Sequence, residues 1–189
     1  MKKIIYPSQL GTYIGFNKYQ SKLSVMLNHF KLKKDKLSTF KKTCNIIGVR
    51  HERRIINIFS ETYNMKCYKA DKQSSPINNW LIRGKCDGIT SEGQLIEVKC
   101  REHKINRDIT DMDYAQVQAY LQIYNIDYCY YIQCLHNDNN IDVQLIEKNM
   151  DYWLKNVIPK VNEFDEIYKM LDDCFNRLSP RKELHLDLS

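Results

Sequence analysis

Three charged side chains in the stretch 84–100, GKCDGITSEGQLIEVKC, have the types and spacing for phosphoryl chemistry. Asp87 is followed ten positions later by Glu97, and Lys99 stands two beyond that. Side chains alternate faces along a β-strand, so Glu97 and Lys99 point one way, while Ile96, Val98 and Cys100 point the other and supply a buried face. SEG at 91–93 is a turn signal, and the hairpin it closes lets Asp87 approach Glu97 across the pair. Two carboxylates that close repel each other unless a cation holds them. A hard divalent ion such as Mg2+ takes oxygen ligands of this kind and keeps several waters. A lysine beside it can orient an attacking water, lower its pKa, or stabilise the charge of a phosphodiester hydrolysis. A surface Glu–Lys pair beside a turn aspartate fits the same spacing, and spacing alone does not separate the two.

Two further residues bear on the choice. Glu52 lies one turn after Gly48, between His51 and Arg53, in a segment with helical spacing of Ile47, Ile55, Ile58 and Phe59. It is a candidate third acidic ligand, or an ordinary helix-surface glutamate. Gln116, in AQVQ at 115–118, falls on the helix after the hairpin, where it can bond the lysine or a metal-bound water, or simply face solvent.

The elements that would position these groups can be read along the chain. Residues 8–16 predict a short helical turn ended by Gly15, 19–32 a second helix, and 43–63 a long amphipathic one. Strands are expected at 66–70, 80–89 and 93–101. A helix follows over 113–125, then strands at 127–135 and 141–148 joined across HNDNN. A last helix spans 149–174, with Pro159 starting a new turn or kinking it. This order predicts an α/β (α+β) domain, a mixed central sheet of about five strands flanked by helices. A single domain over 1–175 and a loose tail over 176–189 are expected.

Composition bounds the rest. Among 189 residues, 43% are hydrophobic and 28% charged, as in a globular chain, and the net charge of +6 points weakly to a polyanionic partner. Lys31, Lys33, Lys34, Lys36, Lys41 and Lys42, followed by Arg50, Arg53 and Arg54, concentrate positive charge early, as a nucleic-acid contact or a solvated helix face. No run of about 18 apolar residues and no signal-type segment is present, so an intracellular protein with no membrane span is expected. Seven cysteines without framework spacing read as free thiols of a reducing compartment. Cys129 and Cys134, five apart on one strand, should face opposite sides, and Cys86 and Cys100 should pack as small hydrophobes. The tyrosines Tyr128, Tyr130 and Tyr131 read as core and edge packing before a base-stacking platform.

Taken in order, the motifs resemble the PD-(D/E)xK nuclease superfamily, and within it the bacteriophage lambda-type exonucleases, or YqaJ-like viral recombinases. PSQLGTYIGFNKYQS (7–21) is similar to the family's serine-containing N-terminal helix, GVRHE (48–52) to its Gly-x-x-x-Glu helix, and GKCDGI (84–89) to its Pro-Asp-Gly strand, with Cys86 in place of proline. LIEVKC (95–100) and DYAQVQAYLQIY (113–124) resemble its Glu-x-Lys-Cys strand and Gln-x-Gln helix, so the likeness covers most of 7–171.

The resemblance implies a restriction-endonuclease-like core and a Mg2+-dependent deoxyribonuclease, with Mn2+ as substitute. Asp87, Glu97 and the Val98 carbonyl would hold the ion, Glu52 a second ion or its water, Lys99 would activate water, and Gln116 would order the site. Ser8 would meet the 5′-phosphate end of DNA, with Arg101 and Gln118 as further DNA contacts. The implied reaction is 5′→3′ digestion of linear duplex in recombination or end repair. A structure-specific or restriction-like endonuclease and a non-catalytic DNA-binding subunit are the alternatives. The family also implies a homotrimer around DNA, a single-strand annealing partner and, for a viral protein, the cytoplasm or nucleus of a host cell. An iron–sulfur cluster, found in the related Cas4-like nucleases, is not expected, because that group clusters its C-terminal cysteines. In the family an arginine precedes the serine; here only seven residues do, and Lys2 or Lys3 is the candidate substitute.

Overall fold

The computed structural model describes residues 3–29, 39–136 and 138–178, with the side chains of 27–50, 175 and 178 outside the description. Lys31, Lys33, Lys34 and Lys36 therefore lie outside the described residues, as do the side chains of Lys41, Lys42 and Arg50. Of the tail expected over 176–189, residues 176–178 continue the last helix and the rest lies outside the described residues. The elements run β1 (Ile4–Ile5), α1 (Pro7–Tyr13), α2 (Lys22–His29), α3 (Thr39–Thr62), β2 (Cys67–Tyr68), β3 (Gln73–Ile77), β4 (Trp80–Gly84), β5 (Gly88–Thr90) and β6 (Leu95–Arg101). They continue as α4 (Asp111–Tyr124), β7 (Tyr128–Leu135), β8 (Ile141–Glu147), a turn α5 (Met150–Tyr152), a π-helical segment Trp153–Val157, and α6 (Ile158–Leu178).

Among the described residues the strands form two sheets. The larger is five-stranded, in the order β2-β5-β6-β7-β8, with β6 and β7 parallel and the other pairs antiparallel. This is the expected mixed sheet. The smaller, β1-β4-β3, is a departure: the run 80–89 is not one strand but two, β4 in the small sheet and β5 in the large one. The break has a packing cause. A Cβ on Gly84 would lie 2.6 Å from the Pro7 ring and 2.9 Å from Tyr120, so only glycine lets β4 end against α1 and α4. β3, absent from the sequence reading, contains Pro76 and survives as an edge strand, where a missing N–H costs least.

The large sheet is covered on both sides. On one, Ile55 and Phe59 of α3 pack on Ile96, Val98, Ile132 and Cys134, each fully buried large apolar side chain contributing roughly 1.5–3 kcal/mol. Arg54 ties α3 to the β7–β8 turn through Asn139 Oδ1 (3.0 Å) and the Asp138 carbonyl (3.1 Å). On the other side, Leu95, Cys129 and Tyr131 meet α4 and share a core with α1 and α6. Cys129 and Cys134 thus go to opposite faces, as expected. Because both faces are covered, the face carrying Glu97 is not a solvent face; Glu97 is 2% exposed.

Helix α4 is the central prop. Thr110 caps it by accepting from the Asp113 N–H at 3.2 Å, and Asn125, at φ 52°, ends it in the left-handed conformation. Pro159 sits at the start of α6, directly after the π-helical segment; a proline cannot donate to the carbonyl four residues back, and the widened turn absorbs the mismatch. Among the described residues no helix is long and apolar enough to cross a membrane.

Candidate active site

The β5–β6 hairpin brings the first two acids together as expected, with Gly93 at φ +90° in its turn. Asp87 ends the irregular Lys85–Asp87 link and returns to β6 twice: its N–H donates to the Ile96 carbonyl at 3.1 Å, and its Oδ2 accepts from the Val98 N–H at 2.7 Å. Asp87 thus takes the hydrogen bond that a continuing strand would have made. That explains both the end of the ladder and the aspartate's fixed orientation.

Glu97 and Lys99 point from β6 towards α4, where Gln116 lies between them. Lys99 Nζ donates to Glu97 Oε1 at 2.7 Å and to Gln116 Oε1 at 2.9 Å, while Gln116 Nε2 donates to Glu97 Oε1 at 2.6 Å. All of this crowds one oxygen of Glu97. The other, Oε2, is buried with no hydrogen-bond partner. A buried carboxylate oxygen without a partner is costly, and a cation or its water is what would satisfy it.

The electrostatics agree. Burial first, then repulsion from Glu97 and Glu52, raises the Asp87 carboxyl well above its usual range, with the Val98 N–H pulling against them. Burial raises Glu97 too, against the pull of Lys99, and raises Glu52 on α3, which is half-buried and also feels Lys99. Burial would lower Lys99, but Glu97, Asp113 and Asp87 overcome it and keep it an ammonium. Three carboxyls held above their usual range around one lysine mark a site short of positive charge. Among the described residues no three His, Cys, Asp or Glu side chains gather to enclose an ion by themselves. Asp87 and Glu97 supply two carboxylates, hard oxygen donors of the kind that Mg2+ accepts while keeping several waters. By that chemistry Asp87 and Glu97 would hold such an ion, and the Val98 carbonyl and Glu52 are the further candidate donors.

One residue escaped the sequence reading. Asp113, in the first turn of α4, accepts from Arg101 Nη2 at 2.5 Å, from Tyr131 OH at 2.9 Å and from Thr110 Oγ1 at 2.8 Å, and lies 3.8 Å from Lys99 Nζ. Burial would raise it, but the Arg101 hydrogen bond and the Lys99 charge win and hold it below the usual carboxylate range. The Thr110-x-x-Asp113 spacing, a capping signature, was the available signal.

The remaining expected contacts are placed differently. Gln118 is fully buried; its Nε2 donates to the Glu147 carbonyl at 2.7 Å and its Oε1 accepts from the Asn149 N–H at 2.8 Å. It lies about 200° round the helix from Gln116, and it joins α4 to the end of β8 instead of meeting DNA. Arg101 is bound to Asp113, Tyr131 OH (2.7 Å) and Gln133 (3.3 Å), so it braces the site from beside Lys99. Ser8 is exposed on α1, next to the Pro7 that packs on Gly84. Lys3 is engaged elsewhere, 3.0 Å from Asp165; Lys2 lies outside the described residues. Cys86 is buried, its thiol pushed up to about 12 by burial, an inert packing group. Cys100 and Cys134, partners on β6 and β7, touch at 3.2 Å.

The sheet order and the covering helices define an α/β fold with a five-stranded mixed sheet between helices. Solved structures of that kind match it. One is a phage-related exonuclease from Haemophilus somnus 129PT, with a TM-score of 0.68 and 14% identity, covering 93% of this chain and 96% of that one. Another is an alkaline exonuclease, LHK-Exo, from Laribacter hongkongensis, with a TM-score of 0.65 and 13% identity, covering 93% and 94%. The Laribacter exonuclease in complex with dAMP also matches, with a TM-score of 0.66, 13% identity and the same coverage. The sequence matches no protein-family model and no curated protein.

Proposed function

We propose that this protein is a Mg2+-dependent deoxyribonuclease that digests linear duplex DNA from its ends, in the 5′→3′ direction. The observation that carries the reading is the unpartnered Glu97 Oε2, buried beside Asp87 and Lys99 in a fold shared with exonucleases. That one such neighbour is complexed with dAMP, a deoxynucleoside monophosphate, supports DNA as the polymer.

A bound Mg2+ would polarise the scissile phosphate and lower the pKa of a water. Asp87 and Glu97 would hold the ion, Asp87 kept in aim by the Val98 N–H. The Lys99 ammonium faces the charge that grows on the phosphate oxygens and orients the attacking water. Gln116 fixes both Lys99 and Glu97, and Asp113 keeps Lys99 from collapsing wholly onto Glu97. Glu52, raised by burial, stands where it can take a proton from water or hold a second ion. Ser8 is the candidate contact for the 5′ end.

Incubation with Mg2+ and either linear or covalently closed circular duplex tests the mode. Loss of the linear form alone, faster from 5′-phosphorylated than from 5′-hydroxyl ends, is expected. Cutting of closed circles would overturn the exonuclease reading.

A further inference from the structure

Beside the acids, a cleft of about 580 Å3 runs between α3, β2 and the Lys85–Asp87 link. Glu52 and Asp87 are among the residues that line it. Its lining also includes Arg53, Asn57, Lys69 and Lys85, all exposed. Among the described residues, no hydrogen bond or ion pair ties down any of these three cations. They differ in this from Lys99, Arg101 and Lys3, which are all committed to carboxylates. Tyr68, on β2, is 56% exposed on the same cleft. Its ring is thus open to solvent in the same lining as the three cations and the two acids.

We propose that this cleft is a binding track for one strand of DNA, in which Arg53, Lys69 and Lys85 hold successive phosphates and Tyr68 stacks on an unpaired base. The volume lies within the roughly 300–1,000 Å3 of clefts that take small organic ligands, the scale of a nucleotide or two rather than of a duplex. Free cations along a groove with an aromatic platform are the general means of holding single strands without reading sequence. Both acids open onto the track, so a strand lying in it places a phosphodiester against them. The cations also offset the repulsion that Glu52 and Asp87 would exert on an approaching phosphate. The proposal rests on the nuclease reading only in naming the held strand as the one presented for cleavage.

The test uses the full chain and a fluorescent twelve-residue oligothymidylate, with Ca2+ in place of Mg2+ to allow binding without turnover. Anisotropy titrations across a salt series compare wild type with Arg53→Ala/Lys69→Ala/Lys85→Ala, Tyr68→Ala and Tyr68→Phe. Lys155→Ala/Lys169→Ala serves as a charge-loss control. The triple variant should lose about 2 from the slope of log K against log salt, since each phosphate contact on a single strand contributes about 0.7. Tyr68→Ala should weaken binding about tenfold with the slope unchanged, and Tyr68→Phe should restore it. A triple variant with wild-type slope and affinity, or one no weaker than the control, overturns the track. The two readings fail separately. No Mg2+-dependent cleavage by wild type, with binding still lost in the cleft variants, removes the nuclease reading and leaves the track. Cleavage by wild type, with cleft variants that bind and cleave like it, removes the track alone.

Discussion

Lys99 reaches Glu97 along one strand, Nζ to Oε1 at 2.7 Å, and Gln116 from the covering helix bonds both partners of that pair. The lysine is thereby held as a cation two residues from the carboxylate, with one carboxylate oxygen saturated and the other left open.

Gln116→Ala removes the group that orients both partners without touching either charge. Cleavage should fall about 10–100-fold, as when a group that orients a metal ligand is lost. The loss should sit in kcat, with KM for DNA little changed and the circular dichroism spectrum of the wild type. A fall in KM-dependent binding with kcat intact would contradict the positioning role.

Burial raises Asp87, Glu97 and Glu52, and repulsion from neighbouring carboxylates adds to the rise of Asp87 and Glu97. The folded protein therefore binds more protons than the unfolded chain once the pH passes the ordinary carboxylate range near 4. The stability these groups contribute falls as the pH rises from there through their folded values. On the proposed reading Mg2+ would bind the deprotonated carboxylates and remove that cost, releasing protons as it does. Thermal unfolding should show a Mg2+-induced rise in Tm that is larger at pH 8 than at pH 5.5, about 5–10 °C at a hundredfold excess over Kd. Asp87→Asn should abolish most of it. A rise equal at both pH values, or retained in the variant, would count against the acids as the ion's seat.

Far from the site, Asp165 gathers Trp80 Nε1 (2.9 Å), Asn79 Nδ2 (2.8 Å), Lys3 (3.0 Å) and Lys169 (2.8 Å), and is 3% exposed. Burial would raise this carboxyl, but those donors outweigh it and hold it far below the usual range. Its stabilising contribution is present above the unfolded value near 4 and is lost as the pH falls towards the folded one. Asp165→Ala leaves the Trp80 indole N–H buried without this partner and should cost about 3 kcal/mol in urea unfolding at pH 7. At pH 2 the gap from wild type should narrow. A gap that widens in acid would contradict the ionised clamp.

How much of this was legible differs residue by residue. The hairpin was readable because SEG demands a turn and Glu97-x-Lys99 must share a face; both are local. Gln116 was readable from its place after that hairpin. Gln118, two positions on, was not, because only the buried setting of α4 shows that its amide is spent on the backbone of Glu147 and Asn149. The split of 80–89 into β4 and β5 was hidden for a similar reason. It is set by Pro7 against Gly84 and by Asp87 taking the Val98 N–H, contacts between distant parts of the chain. The burial of Glu97 was not legible, because alternation gives sidedness but not what covers each side. Asp113 stands three residues after the Thr110 cap, a spacing the sequence shows, but its work for Lys99 and Arg101 depends on the parallel β6–β7 pair below it.

The central claim is that Asp87, Glu97 and Lys99 form a metal-dependent phosphodiesterase site. Release of acid-soluble nucleotides from linear duplex, with Mg2+ or with EDTA, tests it most directly when wild type is run beside Lys99→Ala and Asp87→Asn. The account predicts release by wild type only with Mg2+, and a loss of roughly 10²–10³-fold or more in each folded variant. No Mg2+-dependent release by wild type, or release that survives Lys99→Ala unchanged, would contradict it.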